Sequence, residues 1–285
     1  MFLIHERIPL KMKGIVFGKG FLGTRISNEF NYTLSNIRIT EENSLKNYLR
    51  REKPDVVINS VGKTGRPNID WCEINKEDVI SSNILAPVML SNVCSKENIY
   101  LVHIGSGCIY FGNKGGEGFD EKDEPNFYGP QFYAKTKILS EKILSEFNHL
   151  QLRIRMPIDD RSHERNLIDK IKKYNKLIDV QNSMTTIPHM LNALEILIER
   201  RKRGIYNLVN PGTISPVEIM RMYQKIINPS HQFEKMELEE LNKITPGIRS
   251  NCYLNTNKLK SEGIILPEIH EAVEECLLKY KENLK

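Results

Sequence analysis

The sequence predicts an α/β protein built on a doubly wound parallel sheet, with a smaller C-terminal lobe. Short apolar runs alternate with helical patterns over the first half of the chain, which is the pattern of such a sheet. A glycine-rich turn directly follows the first apolar run, and the second half of the chain is more helical. We therefore expect a sheet domain over residues 12–156 and a substrate lobe over residues 157–285, some of whose segments return to the sheet.

Apolar runs rich in valine and isoleucine predict the strands of the sheet, and amphipathic spacing predicts the helices between them. The predicted strands of the first half are 13–17, 36–39, 55–60, 99–105 and 150–156. The predicted helices between them are 22–30, 44–52, 76–97 and 131–147. The third of these helices contains a proline, and the fourth is long and strongly amphipathic.

The remaining predicted elements are shorter or lie near the chain ends. Residues 176–180 and 204–209 predict two short strands, and residues 267–284 predict an amphipathic helix. The chain begins with a short apolar stretch that charged residues interrupt at once, so this stretch lacks the length of a secretory signal. We expect residues 1–11 to be an extension before the fold.

The composition excludes several classes of protein. The chain has 285 residues, of which 40% are hydrophobic and 27% are charged, and its net charge is +5. The basic residues are spread along the chain, so this charge favours an anionic ligand but does not indicate nucleic-acid binding. Five cysteines without CxxC or zinc spacing predict reduced thiols, no metal site and a cytoplasmic protein, in the host cytoplasm if the gene is viral. No apolar run approaches the roughly 20 residues of a membrane span.

The glycine-rich turn, GKGFLG at 18–23, matches GxGxxG between a predicted strand and a predicted helix. Gly18 would permit the tight turn, Gly20 would let the backbone approach a pyrophosphate at the helix N-terminus, and Gly23 would allow close packing on the sheet. The motif by itself could be only a turn, but its context predicts a Rossmann-type dinucleotide site. Phe21 and Leu22 would belong to the same site.

A residue at the end of the second predicted strand bears on the choice of cofactor. Arg38 lies twenty residues after Gly18, where NAD sites usually carry a carboxylate for the ribose and NADP sites often carry an arginine for the 2′-phosphate. A guanidinium binds phosphate in a bidentate fork, so the sequence favours NADPH, with NADH as the alternative. Glu41 and Glu42 lie close by and weaken this distinction, and Arg38 could instead be an ordinary surface residue.

Tyr133 and Lys137 form YxxxK on the long helix, and a spacing of four places both side chains on one face. The cation would lower the cost of phenolate formation, so the tyrosine could exchange a proton with a carbonyl oxygen at neutral pH. Ser106, at the end of the preceding strand, would hydrogen-bond the same oxygen. Cys108 lies two residues later, so its side chain points to the same side as that of Ser106. The thiol either fills space or performs a second kind of proton chemistry.

Several blocks of sequence together resemble one known family. They are NSVGKTGRPNIDWCE (59–73), GSGCIY (105–110), FYAKTK (132–137), LRIRMPI (152–158), NSMT (182–185) and GIYNLVNPGTIS (204–215). They resemble the extended short-chain dehydrogenase/reductases, and among these the epimerase/reductase family that finishes UDP-L-rhamnose synthesis in plants. The resemblance runs from about residue 13 to about residue 280, and the GRPN-D-WCE block is its most specific part.

The resemblance implies an enzyme that inverts C3 and C5 of UDP-4-keto-6-deoxy-D-glucose and reduces C4 with NADPH, and it implies a homodimer. It implies that Cys108 and Lys170 are the acid–base pair of epimerisation. His163 is an open alternative to Lys170, because the loop DDRSHERN is one residue shorter than the family pattern and because Lys170 lies in a lysine-rich helix.

The resemblance also implies positions for the cofactor and the substrate. Asn59, Ser60 and Val61 would lie against the cofactor at the end of the strand predicted at 55–60. The implied substrate-binding residues are Arg66, Asn68, Asn166 and Arg249. Arg249 would meet the UDP pyrophosphate, although an exposed surface arginine is an alternative interpretation.

Two other functions stay open on the sequence. The first is a 4-keto-sugar reductase that has no epimerase activity, and Cys108 argues against it. The second is a regulatory subunit that binds NADP and a partner without catalysis. Such subunits commonly keep YxxxK, so that motif cannot exclude them, but the GRPN-D-WCE block and Cys108 favour catalysis.

Overall fold

The computed structural model describes residues 12–66, 68–128, 131–245 and 248–284, and the predicted extension over residues 1–11 lies outside them. The strands are β1 (Gly14–Phe17), β2 (Thr33–Leu34), β3 (Val56–Asn59), β4 (Tyr100–Ser106), β5 (Leu150–Ile154), β6 (Lys176–Ile178), β7 (Gly204–Asn207) and β8 (Glu234–Met236). Six of them form one parallel sheet in the order β2-β1-β3-β4-β5-β7. The chain reverses its direction of travel across the sheet between β1 and β3, and such a switch point is where sheets of this kind bind ligands.

Helices cover both faces of the sheet and form most of the second half. They are α1 (Phe21–Phe30), α2 (Glu42–Glu52), α3 (Trp71–Ile74), α4 (Lys76–Ile80), α5 (Ala86–Lys96), α6 (Phe132–Ser145), α7 (Leu167–Ile171), α8 (Ile187–Glu199), α9 (Pro216–Ile226), α10 (Leu238–Ile244), α11 (Asn257–Ser261) and α12 (Ile269–Asn283). A π-helical turn, Ser81–Leu85, connects α4 to α5.

The central strands are buried on both faces because both faces carry helices. Successive side chains of a strand point to opposite faces. Ile15 of β1 accordingly packs in a cluster with residues of α2 and α5, whereas Val16 packs with residues of α1 and α8. This is why the run GIVF and the first three residues of VVIN are apolar and do not alternate with polar residues.

The second strand is shorter and earlier than predicted. It pairs with β1 at Thr33 and Leu34, and the predicted strand at 36–39 is wrong. The Ser35 hydroxyl accepts a hydrogen bond from the N–H of Ile37 at 3.2 Å, and this local turn carries the chain away from β1. Ile39 is buried against the α2 side of the core, so the apolar residues of this segment anchor a loop.

The helix predicted at 76–97 is interrupted by the π-helical turn. Pro87 lies at the start of α5 and has no N–H to donate to the carbonyl of Asn83, four residues earlier. The side chain of Asn83 is fully buried in this turn, where it accepts from the N–H of Lys63 at 2.7 Å and donates to the carbonyl of Lys63 at 3.1 Å. The interruption therefore fixes the loop that follows β3.

The second half of the chain builds a lobe of its own and also completes the sheet. Strands β6 and β8 pair as a small parallel sheet, and a separate apolar cluster joins α7, α9 and α12. Strand β7 instead pairs with β5 at the edge of the main sheet. Within the described part of the chain, every helix is too short or too polar to cross a membrane.

Candidate active site

A cleft of about 850 Å³ lies between the carboxyl ends of the central strands and the C-terminal lobe. Three loops line it: the glycine-rich turn, the loop that follows β3 and the loop that follows β5. The end of β4 and the side chains of Tyr133 and Lys137 on α6 complete the lining. Its predicted site residues are Gly20, Phe21, Leu22, Ser60, Val61, Arg66, Ser106, Cys108, Tyr133, Lys137, His163 and Lys170. The fold thus brings segments from both halves of the chain to one cavity.

The glycine-rich turn has the shape that a dinucleotide pyrophosphate requires. Gly18 has a φ of +102°, and a Cβ there would lie 2.7 Å from the backbone of Ser60. A Cβ on Gly23 would overlap the carbonyl oxygen of Gly18, whereas a Cβ on Gly20 would project into open space. Helix α1 begins without a side-chain cap, so its first N–H groups are available to an anion. These residues fit a nicotinamide dinucleotide.

The other predicted cofactor residues differ in whether they line the cleft. Ser60 and Val61 line the cleft, but Asn59 is fully buried beneath it. Its amide nitrogen lies 3.0 Å from Nδ1 of His103, and its amide oxygen accepts the N–H of Val61 at 3.0 Å. Asn59 therefore shapes the loop, and its contact with the cofactor stays a prediction. Arg38 is exposed in the coil after β2, and its contact with a 2′-phosphate stays a prediction.

The end of β4 and the start of α6 place three functional groups side by side. The hydroxyl of Tyr133 donates to Oγ of Ser106 at 3.5 Å, and the N–H of Cys108 donates to the same oxygen at 3.1 Å. Cys108 is partly exposed and packs against the cluster that contains Tyr133, whereas the other four cysteines are buried. The thiol therefore opens on the cleft instead of filling the interior.

Burial controls the protonation of the YxxxK pair. It raises the pKa of Tyr133, an effect to which Cys108 adds and which the hydrogen bond with Ser106 only partly opposes. Burial also lowers the pKa of Lys137 to about 8, against the opposing effects of Cys108 and Glu141. In the free protein the loss of hydration outweighs the neighbouring charges, so the predicted help from the Lys137 cation does not bring the pKa of Tyr133 down to neutral pH. Tyr133 carries its proton at neutral pH.

The loop after β5 and the helix α7 form another part of the wall of the same cleft. Lys170 lines this wall, and burial, assisted by Arg165, lowers its pKa. The ring of His163 stacks on Phe21 with centroids 4.5 Å apart and planes 9° from parallel. Its Nδ1 accepts the N–H of Arg165 at 3.0 Å, which leaves Nε2 as its donor. Both candidates for the second epimerase group therefore line the cleft.

Among the four predicted substrate-binding residues, Arg66 lines the cleft and forms an ion pair with Glu164 at 2.6 Å. Asn166 is fully buried, where it caps α7 and bonds the backbone of Asp159, so the geometry does not support a substrate contact. Its role is structural because its amide is saturated by protein groups.

Asn68 and Arg249 are engaged with the same aspartate near the cleft. The side chain of Asn68 accepts the N–H of Asp70 at 2.8 Å, and Arg249 forms a bidentate ion pair with the Asp70 carboxylate at 2.7 Å. Neither Asn68 nor Arg249 is among the described residues that line the cleft. The geometry therefore gives no support to the predicted contact of Arg249 with a pyrophosphate.

Two arginines of the loop after β5 were missed by the sequence reasoning. Arg161 and Arg165 both line the cleft, and Arg165 donates to the carbonyl of Gly65 at 2.6 Å and to Oγ1 of Thr64 at 3.2 Å. In the sequence, these two arginines lie two residues before and two residues after His163, and such a cluster of cations could have indicated an anion-binding loop. Only the fold shows that the loop returns over the cleft.

A family model independently matches almost the whole chain. The RmlD substrate binding domain covers residues 16–282. The chain belongs to this family. Its fold is that of the extended short-chain dehydrogenase/reductases, as the sequence predicted, and the resemblance to the epimerase/reductases is confirmed.

Relatives of this RmlD-family chain carry epimerase and reductase names. A bifunctional dTDP-4-dehydrorhamnose 3,5-epimerase/dTDP-4-dehydrorhamnose reductase of Arabidopsis thaliana is 37% identical, over 93% of this chain and 91% of its own length. A trifunctional UDP-glucose 4,6-dehydratase/UDP-4-keto-6-deoxy-D-glucose 3,5-epimerase/UDP-4-keto-L-rhamnose-reductase of the same plant is also 37% identical. The alignment covers 94% of this chain but only 42% of that longer protein.

Solved structures of RmlD-like proteins share the fold. The L780 UDP-rhamnose synthase from Acanthamoeba polyphaga mimivirus is 32% identical, with a TM-score of 0.89 over 94% of this chain and 99% of that chain. A dTDP-4-dehydrorhamnose reductase from Bacillus anthracis, solved in complex with NADP, has a TM-score of 0.80 over 95% of this chain and 99% of its own. Its identity of 18% shows the fold alone.

Proposed function

We propose that this protein is a bifunctional enzyme that converts UDP-4-keto-6-deoxy-D-glucose to UDP-L-rhamnose, as a 3,5-epimerase and an NADPH-dependent 4-reductase. The observation that carries the proposal is the position of Cys108 in the cleft beside Ser106 and Tyr133. A reductase needs a proton donor and a group that binds the ketone oxygen, whereas inversion at carbon needs a further acid–base group, which the thiol supplies. The names of the Arabidopsis and mimivirus relatives support the same two reactions.

Reduction at C4 requires a hydride on carbon and a proton on the ketone oxygen. A bound nicotinamide cofactor supplies the hydride. Tyr133 supplies the proton, because burial raises the pKa of its phenol and keeps it protonated at neutral pH. Ser106, which already accepts from Tyr133, donates its own hydroxyl to the same ketone oxygen. Lys137, with a pKa of about 8, is mostly charged at neutral pH and stabilises the tyrosine as it loses its proton.

Inversion at C3 and C5 removes a proton next to the ketone and returns one on the opposite face. When the C–H bond breaks, its electron pair moves to the ketone oxygen, where Ser106 and Tyr133 stabilise the enolate by hydrogen bonds. Cys108 exchanges protons on one face of the sugar. Lys170 or His163 exchanges them on the other face, since both line the same cleft as Cys108. Burial lowers the pKa of Lys170, which makes its neutral, proton-accepting form more accessible.

The cofactor and the nucleotide would be held by backbone groups and cations. Gly20, Phe21 and Leu22 would bind the cofactor pyrophosphate at the start of α1, and Arg38 would favour NADPH through its 2′-phosphate. Arginines of the two facing loops would neutralise the UDP diphosphate. They are Arg66, Arg161 and Arg165.

The deciding experiment is to incubate the protein with NADPH and UDP-4-keto-6-deoxy-D-glucose, to follow the loss of NADPH absorbance and to identify the product by NMR. UDP-L-rhamnose is the expected product. A product reduced at C4 without inversion would leave a reductase only, and no oxidation of NADPH with UDP or dTDP keto sugars would favour the non-catalytic binding module. NADH in a parallel reaction tests the cofactor preference.

A homodimer is the proposed assembly. The described surface of α6 carries Leu139 and Ile143, which are one helical turn apart and exposed. Leu85 in the neighbouring π-helical turn is also exposed. An apolar face on paired helices is suited to a second copy of the same face, because isologous contacts close as a dimer.

A further inference from the structure

Behind the wall of the cleft lies a guanidinium that is buried without a carboxylate partner. Arg155 follows β5 and is 1% exposed, and it is absent from the residues that line the cavity. Its nitrogen atoms donate to five neutral acceptors. These are the carbonyls of Gly107, Ser183 and Ser250, the hydroxyl of Ser250 and Oδ1 of Asn182, at 2.7–3.3 Å. Among the residues that the structure describes, none forms an ion pair with Arg155 at 4.0 Å or less.

The charge of Arg155 is not neutralised by the contacts that it makes. Its hydrogen bonds go only to neutral oxygens, none of which carries an opposite charge. A buried charge without a counter-ion is costly, because water no longer solvates it and no opposite charge replaces that solvation. Buried charges of this kind concentrate at functional sites, where they act on the chemistry. We therefore expect the charge of Arg155 to act on the groups that lie beside it.

Arg155 holds Gly107, the residue between the reacting side chains of Ser106 and Cys108. The aliphatic stem of Arg155 packs on Gly107 so closely that a Cβ there would lie 2.9 Å from Cγ of Arg155. Nη1 of Arg155 also donates to the carbonyl of Gly107 at 3.1 Å. Gly107 separates Ser106 from Cys108, so Arg155 sets the direction of both side chains through one peptide.

The charge of Arg155 acts on groups that become anionic. The guanidinium interacts electrostatically with Cys108, Tyr133 and Cys252, and it favours the ionised form of Tyr133 and Cys252. Lys137 is the other cation that interacts with Cys108. In the proposed reactions the thiol, the phenol and the ketone oxygen each carry negative charge in turn, and Arg155 is a cation near them that does not lose its proton.

We propose that Arg155 is a positioning residue that holds the Gly107 peptide in place and supplies the permanent positive charge for the thiolate of Cys108 and the enolate formed beside it. The inference rests on the proposed function for the enolate, but the effect on the thiol stands without a substrate. Loss of the charge, as distinct from loss of the hydrogen bonds, weakens epimerisation first, because that is the reaction that passes through both anions.

The test compares variants that separate charge from shape. Arg155→Met removes the positive charge and keeps most of the aliphatic chain. Arg155→Lys keeps the positive charge and loses the planar guanidinium with its several N–H donors. The rate of Cys108 alkylation by iodoacetamide is measured against pH in the free protein, by mass spectrometry of the Cys108 peptide. We expect the alkylation midpoint of Arg155→Met to move up by about one pH unit and that of Arg155→Lys to stay near wild type. Lys137, Tyr133 and Cys252 are present in all variants, and the mass of the Cys108 peptide separates the alkylation of this thiol from any reaction of those groups.

Two further variants control for structural damage. Ser250→Ala removes one acceptor of Arg155 and keeps the charge, so its midpoint should match wild type. Arg155→Gln replaces Arg155→Met if the latter does not fold, since it keeps a donor without the charge. Equal midpoints in wild type and in a folded neutral variant would overturn the proposal, as would an Arg155→Lys midpoint displaced as far as that of the neutral variants.

A second readout separates this proposal from the proposed function. Deuterium incorporation at C3 and C5 of the keto sugar should fall about tenfold or more in Arg155→Met, which is the effect of about 1.4 kcal/mol of lost anion stabilisation. Reduction of an already epimerised substrate should fall less. If the wild-type protein acts on no keto sugar but the alkylation midpoint still shifts, the charge assignment is supported and the proposed function fails.

Discussion

At the scale of single residues, the chemistry depends on how burial sets protonation. Tyr133 is kept as a neutral acid by burial, although a cation lies four residues away on the same helix. Lys137 loses part of its basicity for the same reason. Cys108 differs from the other cysteines because it alone is partly exposed, at the turn after β4. Tyr133 and Lys137 show that hydration, more than residue type, decides which group donates and which accepts a proton.

The first prediction separates the two proposed reactions. Cys108→Ala should lower deuterium incorporation at C3 and C5 by about a hundredfold or more, the usual effect of losing an acid–base group, and leave reduction of a pre-epimerised sugar near wild type. Tyr133→Phe should lower reduction more than exchange, because the phenol is the proton donor of reduction but only one of two groups that bind the enolate. The two rates are measured by mass spectrometry and by NADPH absorbance. Exchange that persists in Cys108→Ala would remove the thiol from the mechanism.

The second prediction concerns Asp159, which lies at the edge of the cleft beside Arg25 and Asp160. Burial, reinforced by Asp160 and only partly offset by Arg25, raises the pKa of Asp159 to about 7. The folded protein therefore keeps a proton that the unfolded chain has released between about pH 4 and pH 7, so stability from this group falls as the pH rises through that window.

Asp159→Asn should remove this dependence. From about pH 5 to about pH 8, the free energy of unfolding of wild type should fall by about 2 kcal/mol more than that of the variant. Urea unfolding at both pH values measures the difference. Glu29→Gln alters another partner of Arg25 and serves as the matched control, which should keep most of the wild-type slope. Parallel slopes for wild type and Asp159→Asn would contradict the prediction.

At the scale of elements, interruptions of regular structure place the functional side chains. The π-helical turn before α5 lets Asn83 hold the loop after β3, and its amide also donates to Oγ1 of Thr136 on α6. The side chain of Asn83 thus connects the loop after β3 to the helix that carries Tyr133 and Lys137. A π-helical turn at a functional site is a common arrangement, because the wider turn redirects one side chain without ending the helix.

The third prediction tests the proposed dimer face on α6. Leu139 is 53% exposed and Ile143 is 41% exposed, so charges there should cost the monomer little. The double variant Leu139→Glu/Ile143→Glu should be monomeric at micromolar concentration, because two carboxylates would be buried against their copies. Light scattering after size exclusion measures the mass. Leu278→Glu on α12, at a side chain that is 50% exposed, should remain a dimer. A wild-type monomer would exclude this assembly.

At the scale of the whole molecule, the two halves of the chain meet across the cleft. Phe21 of the glycine-rich turn stacks on His163 of the C-terminal lobe. Arg165 bonds the backbone of Gly65, and Arg66 pairs with Glu164. The glycine-rich turn, the loop after β3 and the loop after β5 therefore form one connected rim around the cavity.

The fourth prediction is that Arg165→Ala loosens this rim without unfolding the protein. The variant loses a charge-assisted hydrogen bond to Gly65, which is worth about 1.5 kcal/mol. Amide hydrogen exchange over residues 62–66 and 161–166 should accelerate, and the KM for the nucleotide sugar should rise about tenfold. Arg161→Ala, in the same loop but without such a bond to Gly65, should leave the exchange rates unchanged. Unaltered exchange in Arg165→Ala would show that the contact does not hold the rim.

Much of the fold could be predicted because local sequence carried it. The strands β1 and β3 lie in apolar runs, β4 and β5 are rich in leucine and isoleucine, and the glycine-rich turn requires glycine at position 18, where φ is positive. The second strand could not be predicted, since Ile37 and Ile39 alternate like a strand but serve to anchor a loop. Alternation reports which side chains are buried, and it does not report the strand partner.

The sequence by itself determined the sheet, the motifs and the family, because each depends on residues close together in the chain. Only the tertiary structure decided that Asn166 caps a helix, that Arg249 pairs with Asp70, and that Arg161 and Arg165 return over the cleft. It also decided which groups lose water, and hence the protonation of Tyr133 and Lys137. Contacts between distant segments and the exclusion of solvent arise only when the chain is folded, so no local pattern encodes them.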